Sequence, residues 1–116
     1  MDKEPHILVG IIDGRGEVSG RLDGAFTGEG FGAMTGPFSA KAAAGGILLF
    51  DASGREKARA PEIRLAASNK ALFSLFGVTI GTRFHWQRPE DQTFEGNLLF
   101  RLLGDGTMAA INEVPV

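Results

Sequence analysis

The sequence predicts an all-β fold, a single-domain sandwich or open barrel of roughly eight to ten short antiparallel strands. The first observation behind it is glycine, which occurs 17 times in 116 residues, about twice its average share. Second, many of these glycines follow Asp or Ser in pairs that favour the positive φ of hairpin turns. Third, short apolar or alternating runs stand between the turns, as strands require. The pairs are Asp13-Gly14, Asp23-Gly24, Ser53-Gly54 and Asp105-Gly106.

The first third of the chain predicts a meander. Residues 6–12 (HILVGII) form an apolar run typical of a buried strand. Residues 17–22 and 25–27 then predict two strand pieces around a turn. Residues 28–36 (GEGFGAMTG) are the most glycine-dense segment and predict a turning connection. Residues 38–44 have helix propensity but are too few for a stable helix, so their structure stays open.

The middle of the chain predicts three further strands. Residues 47–50 (ILLF) predict a buried strand that ends at the turn 51–54. Two apolar stretches, 63–67 and 72–76, flank a polar turn at residues 68–70. These three stretches extend the strand series.

The last third predicts an alternating strand, a loop and a hairpin. Residues 78–86 (VTIGTRFHW) alternate, with Val78, Ile80, Thr82, Phe84 and Trp86 on the core-directed face. Residues 87–92 (QRPEDQ) predict a charged loop broken by proline. Residues 94–103 and 107–112 flank Gly104-Asp105-Gly106, which predicts a hairpin.

Composition and charge exclude several classes of protein. The formal net charge is −2, and the Lys and Arg residues are scattered apart from a loose cluster between Arg55 and Arg64, so nucleic-acid binding is disfavoured. Cysteine is absent, which excludes disulfides and thiolate metal sites. No apolar run approaches the roughly 20 residues of a membrane helix. Residues 1–5 lack the apolar stretch of a signal peptide.

The motifs that could suggest catalysis or a cofactor are weak. Residues 28–33 fit a loose G-x-G-x-x-A pattern, but Gly36-Pro37 would break the helix that a dinucleotide site needs. His6 and His85 have no partners at metal-ligand spacing, so we expect neither a metal nor a cofactor. Glu90 and Asp91 are adjacent carboxylates on a hydrophilic segment and predict a solvated turn. We therefore assign no catalytic residue.

One constellation suggests a binding surface. Alternation places Arg83, His85 and Gln87 on the face opposite Phe84 and Trp86. A polar face beside an aromatic ring can bind a sugar through stacking and hydrogen bonds. The candidate glycan-binding residues are Arg83, His85, Trp86, Gln87 and Arg88. In the alternative interpretation, Trp86 fills the core and the polar side chains meet solvent or a neighbouring domain.

Two segments, 84–96 (FHWQRPEDQTFEG) and 111–116 (INEVPV), resemble the SpoIID/LytB family, the stage II sporulation protein D and amidase-enhancer proteins of bacterial cell walls. The opening at residues 6–11 is also similar. In the family, a hairpin strand leads into a phrase like N-x-V-P-x-E-x-Y-L, and then into a helix with the catalytic glutamate. The residues that match are Phe84, His85, Trp86, Arg88, Glu90, Asp91, Gln92, Phe94, Gly96, Asn112, Val114 and Pro115.

The resemblance implies a parent protein that acts on peptidoglycan, as a lytic transglycosylase on glycan stripped of peptide or as an activator of a wall amidase. The family's catalytic positions follow the phrase that Val116 interrupts, so residues 1–116 are expected to be a non-catalytic N-terminal module. Its implied partners are the rest of the parent chain, glycan strands or a wall amidase. The implied location is the periplasm or cell envelope. A glycan-binding module using residues 83–88 and a protein-interaction domain remain the alternatives.

Overall fold

Ten β-strands and their connections make up the computed structural model, which describes residues 6–28, 30–68, 71–80 and 88–115. For residues 6, 77–80, 88–91 and 115 the description is of the backbone alone. The strands are β1 (His6–Arg15), β2 (Glu17–Gly28), β3 (Gly32–Ala43), β4 (Gly46–Phe50), β5 (Glu56–Ala60), β6 (Glu62–Ala67), β7 (Leu72–Ile80), β8 (Arg88–Glu95), β9 (Asn97–Leu102) and β10 (Met108–Pro115).

All ten strands belong to one antiparallel sheet. The strand order is β1-β10-β9-β6-β2-β3-β4-β5, and a side branch runs from β2 through β7 to β8. Within the described ranges no ladder joins the two ends of this order, β1 and β5, so the sheet is not closed into a barrel. The all-β prediction of eight to ten antiparallel strands is confirmed.

Strand β2 bends in its middle and divides its pairing between two neighbours. Residues 20–23 pair with β7, and residues 26–28 pair with β6. Gly24 lies between them with a φ of +117°, a conformation that glycine adopts without steric cost. The Thr35 hydroxyl donates a hydrogen bond to the Gly24 carbonyl at 2.6 Å, which holds the bend.

Two further bends lie beside the first. Between β6 and β7, the Ser68 amide donates to the Ala25 carbonyl at 3.0 Å. Between β8 and β9, the chain turns at Gly96, whose φ is +107°. We call the row of bends at Gly24, at the end of β6 near Ser68, and at Gly96 the fold line. Because neighbouring strands turn there together, the sheet bends around a single core instead of splitting into two sheets.

The core lies on the inner side of the bent sheet. Phe38 of β3 and Phe100 of β9 meet across it edge to face, with ring centroids 6.0 Å apart, although their strands are not paired. Gly20 makes room for this contact, since a Cβ atom there would lie 2.9 Å from Phe38 Cζ and 2.1 Å from the Ser74 carbonyl oxygen. Each large apolar side chain buried in this way contributes about 1.5–3 kcal/mol.

The glycine-dense connection is shorter than predicted. β2 continues to Gly28 and β3 begins at Gly32, so only the turn between them is a connection. The open question at residues 38–44 is answered by β3, which extends to Ala43. Pairing with β2 and β4 on its two sides outweighs the helix propensity of its alanines.

The prediction of a charged loop at residues 87–92 is also wrong for the described residues, 88–92. β8 covers Arg88–Glu95 and pairs with β7, and Pro89 lies opposite Thr79. Within the described chain β8 pairs with no other strand, so proline removes no hydrogen bond from a central ladder. The alternating strand predicted at 78–86 is described only to Ile80, in β7.

Residues 6–12 form the predicted strand, but the strand is not buried. Ile7, Leu8 and Val9 are 53%, 52% and 46% exposed, whereas Ile12 is buried at 7%. The reason is position: β1 lies at one end of the strand order, and within the described ranges it pairs with β10 alone. An apolar run identifies a strand here but does not locate it in the core.

Three other strand predictions are confirmed, whereas the two pieces predicted at residues 17–22 and 25–27 are one strand, β2. Residues 47–50 lie in β4, residues 63–67 in β6 and residues 72–76 in β7. Residues 104–106 form the turn between β9 and β10, as their Gly-Asp-Gly sequence indicates. The predicted strand at 94–103 is divided by Gly96, since its first residues belong to β8.

Candidate functional site

Most of the predicted glycan-binding face lies outside the described residues. Arg83, Phe84, His85, Trp86 and Gln87 all fall in the gap between β7 and β8. The next residue, Arg88, opens β8 opposite Ile80, with only its backbone described. Glycan binding at residues 83–88 therefore stays a prediction.

The paired carboxylates of the sequence motif lie on a strand and not in a solvated turn. Glu90 pairs with Val78 in the β7–β8 ladder, and Asp91 follows it on β8. Gln92 lies opposite Leu75.

Two later residues of the family motif, Phe94 and Gly96, pack against neighbouring strands of the sheet. The Phe94 ring stacks on Phe73, with centroids 5.3 Å apart and planes 29° apart. Gly96 forms the corner between β8 and β9, and a Cβ atom there would lie 2.5 Å from the Glu113 carbonyl oxygen and 3.2 Å from Asn112 Nδ2. These contacts require glycine at position 96 for space as well as for its φ.

Asn112 of β10 braces the same corner. It is buried, with 6% of its surface exposed. Its Nδ2 donates to the Glu95 carbonyl at 2.9 Å and to the Asn97 carbonyl at 3.1 Å. A buried amide with both protons bonded to backbone carbonyls stabilises the turn between β8 and β9. The other motif residues on β10, Val114 and Pro115, pair with Ile7 and His6 of β1.

A chain of polar contacts continues from Asn112 across the sheet. Asn97 Oδ1 accepts a hydrogen bond from the Ala67 amide at 2.8 Å, and Asn97 Nδ2 donates to Glu113 Oε1 at 3.0 Å. Arg64 Nη2 lies 2.9 Å from the same carboxylate oxygen. We call Arg64, Asn97, Asn112 and Glu113 the polar corner. Its groups bond to one another and to the backbone, so it stabilises the bend and leaves little capacity for a ligand.

Sequence reasoning did not identify three of the four residues of the polar corner. Asn97 follows Gly96, and Glu113 lies between Asn112 and Val114. Both are therefore next to residues of the family motif. Arg64 is 49 positions from Glu113. Only the pairing of β6 and β10 with β9 brings this Arg and Glu together, and the sequence contains no local sign of it.

A second polar site lies where the sheet stays open. The edge of β6 at residues 62–64 faces β5, and in the described structure no ladder joins these edges. The turn containing Phe31 closes one end of the space between them. The resulting cavity has a volume of about 340 Å³, and we call it the cationic cleft. Its lining consists of Gly30, Phe31, Lys57, Ala58, Arg59, Ala60, Glu62, Ile63 and Arg64.

The charges of the cationic cleft are unevenly neutralised. Arg64 is bound to Glu113, whereas Arg59 lies 3.7 Å from Glu56 with 64% of its side chain exposed. Among the described residues Lys57 makes no ion pair within 4.0 Å, but its charge helps to lower the pKa of Asp51. Glu62 is paired with Arg101 at 2.9 Å. The lining therefore carries three cations and one carboxylate, and two of the cations and the carboxylate are matched by ion-pair partners outside the lining.

Two aspartates organise turns. Asp51 Oδ1 accepts hydrogen bonds from the Ser53 hydroxyl at 2.7 Å and from the Arg55 amide at 3.0 Å. The Ser53 hydroxyl is the largest cause of the lowered pKa of Asp51, followed by the Arg55 amide. The hydroxyl and the amide of Thr107 likewise lower the pKa of Asp105. A lowered pKa keeps both groups ionised and suits turn formation rather than general acid catalysis.

Across the part of the chain that is described, no three His, Asp or Glu side chains gather in an arrangement that could hold a metal ion. Nor does any helix in that part have the length and apolarity to cross a membrane. Comparison of the chain with protein-family models, with curated proteins and with solved structures finds no match.

Proposed function

We propose that this chain is the non-catalytic β-rich module of a SpoIID/LytB-like protein that acts on peptidoglycan in the bacterial cell envelope. The proposal begins from the resemblance of residues 84–96 and 111–116 to that family. These two segments are separated by the β9–β10 hairpin in the sequence.

One structural observation supports the proposal: the two segments meet in space. Gly96 closes the first segment and Asn112 opens the phrase N-E-V-P in the second, and the Cβ position of one lies 3.2 Å from the Nδ2 of the other. Residues with a shared structural task are expected to recur together in a sequence pattern. The module's own task, on this proposal, is to hold a rigid framework beside a catalytic or partner surface.

An antibody raised against this chain provides the test. From cells that express the chain, we expect it to precipitate an envelope protein that cleaves peptide-free glycan strands or accelerates a wall amidase. The isolated chain should cleave no glycan, and serum taken before immunisation is the control. A precipitate with neither activity, or glycan cleavage by the isolated chain, would overturn the proposal.

A further inference from the structure

We propose that two copies of this chain associate by antiparallel pairing of their β1 strands, with Leu8 of each copy at the two-fold axis. The surface concerned is the outer edge of β1, and its role does not depend on the proposed function in the cell wall. Three properties of β1 favour a second copy as its partner: exposure on both faces, a regular segment with Leu8 at its centre, and the absence of charge.

Both faces of β1 carry apolar side chains that are about half exposed. Ile7, Leu8 and Val9 are 53%, 52% and 46% exposed, and adjacent residues of a strand point to opposite faces. A helix or a second sheet could cover one face, whereas a further strand beside β1 covers both. Within the described ranges β1 pairs with β10 alone, so its other edge can accept such a strand.

The regular part of this edge is short and has Leu8 at its centre. Residues 6–10 pair with residues 111–115 of β10 without interruption, and the register shifts after Gly10. On the other side of the segment, Pro5 has no amide hydrogen to donate. When two copies pair over residues 6–10, Leu8 lies opposite Leu8 and Ile7 lies opposite Val9. Each exposed apolar side chain of the segment thus gains an apolar neighbour.

The charge pattern is compatible with a second copy at β1 and not at β5, the other end of the strand order. A strand that pairs with its own copy brings like charges close together, which destabilises the pair. Residues 6–10 (HILVG) contain no Asp, Glu, Lys or Arg, whereas β5 carries Glu56, Lys57 and Arg59. Charged side chains on an edge strand are a common protection against pairing. The regular segment of β1 lacks this protection.

The expected dimer is closed and weak. Antiparallel self-pairing uses the same patch on both copies, so it ends at two chains and does not grow into a fibre. Interfaces that bury less than about 1,200 Å² in total are at the weak, transient end of the range, and pairing over residues 6–10 alone belongs to that class. We therefore expect monomers in dilute solution and dimers at high concentration, by mass action.

Sedimentation equilibrium of the whole chain, from micromolar to millimolar concentration, tests the association. We expect a reversible monomer–dimer equilibrium with no larger species. Leu8→Lys should weaken the dimer about tenfold or more, because it removes two apolar side chains from the interface and places two ammonium groups at the axis. Ala33→Lys adds the same charge at an exposed position on β3 and should associate as the unmodified chain does.

Single-cysteine variants test the register, since the chain has no cysteine of its own. Directly opposite residues of antiparallel strands have Cα atoms about 4.5–5.5 Å apart, which is within the range of a disulfide. With oxidised glutathione as the oxidant, Leu8→Cys should cross-link to its own copy. A mixture of Ile7→Cys and Val9→Cys should cross-link more than either variant does alone. The control, Ala33→Cys, should give no cross-linked dimer.

Several results would overturn the inference. Monomers at every concentration would mean that this edge serves a different partner, and growth into larger species would indicate head-to-tail pairing of β1 with β5. Equal association of the Leu8→Lys and Ala33→Lys variants would place the interface elsewhere, and cross-linking without preference for the expected cysteine pairs would reject the register. If Leu8→Lys does not fold, sedimentation of the unmodified chain and the cysteine cross-links still decide the matter.

Discussion

At the scale of single residues, the polar corner shows how one side chain can support a bend in a sheet. Asn112 bonds two carbonyls on either side of Gly96, at 2.9 and 3.1 Å. Among the described residues no buried side-chain nitrogen or oxygen lacks a hydrogen-bond partner. The fold line therefore does not depend on glycine alone, since a buried amide binds the backbone on both sides of the bend at Gly96.

Replacing Asn112 by Ala should lower the free energy of unfolding by about 1–3 kcal/mol, because two part-buried hydrogen bonds to backbone carbonyls are lost. Asn112→Asp should cost more, since it places an acceptor against those carbonyls. Denaturant unfolding measures both variants. The control is Thr27→Ala at an exposed position, which should change stability by no more than about 0.5 kcal/mol. An Asn112→Ala variant as stable as the control would contradict this role.

Substitutions at three glycines distinguish two sources of lost stability: a positive φ that other residues rarely adopt, and a steric clash of the added Cβ atom. Gly96 has both a positive φ and a blocked Cβ position, Gly106 has a positive φ of 87° in open space, and Gly104 has neither. Gly106→Ala should cost about 1–2 kcal/mol, Gly96→Ala should cost more, and Gly104→Ala should cost less. Thermal or denaturant unfolding gives the order. If Gly96→Ala costs no more than Gly106→Ala, the close approach to Glu113 is not a constraint.

The turn aspartates predict a pH dependence of defined sign. Because the folded state lowers the pKa of Asp105 below its ordinary value of 3.8, its hydrogen bonds stabilise the fold fully above that value. This stabilisation is lost as the pH falls through the lower folded-state pKa. Thr107→Ala removes the largest cause and should move the midpoint of Asp105 upward in a carboxyl NMR titration. An unchanged midpoint would show that the hydroxyl does not hold this carboxylate.

At the scale of elements, β1 separates strand formation from burial. Its apolar run pairs with β10, yet three consecutive apolar side chains remain about half exposed. We expect Leu8→Lys to change the free energy of unfolding by no more than about 0.5 kcal/mol. Leu98→Ala in β9, where the side chain is fully buried, should cost about 2–5 kcal/mol. Comparable losses in the two variants would mean that β1 is covered in solution.

The strands that could be predicted from the sequence are those whose signals are local. The apolar run at residues 47–50 and the Gly-Asp-Gly turn at 104–106 both identify their elements correctly. The errors arise where pairing decides the structure. Pro37 and Pro89 are tolerated because each lies where a strand has a partner on one side only. Neither proline carries a mark of that position in the sequence.

The candidate sites show the same contrast between features with a local sequence pattern and features that depend on long-range contacts. The cluster of cations between Arg55 and Arg64 is visible in the sequence, but its role depends on two edges that face each other without pairing. Phe31 joins that cluster from the β2–β3 turn, and Arg64 reaches Glu113 across one intervening strand, β9. These are long-range contacts, and hydrophobic periodicity contains no information about them.

At the scale of the whole molecule, the central feature is an open sheet that bends around one core. Bending at the fold line lets β3 cover β9, as the Phe38–Phe100 contact shows. Among the strands that the structure describes the sheet does not close, and those at its opening leave the cationic cleft between β5 and β6. Framework and candidate binding site are thus consequences of the same topology.

The measurement that tests this account most directly is the set of cross-strand proton contacts in a nuclear Overhauser spectrum of the labelled chain. We expect β2 to contact both β7, near Gly20 and Leu75, and β6, near Phe26 and Ala67. We expect no ladder of contacts between β5 and residues 62–64. A continuous β5–β6 ladder would close the sheet, remove the cleft and contradict the account.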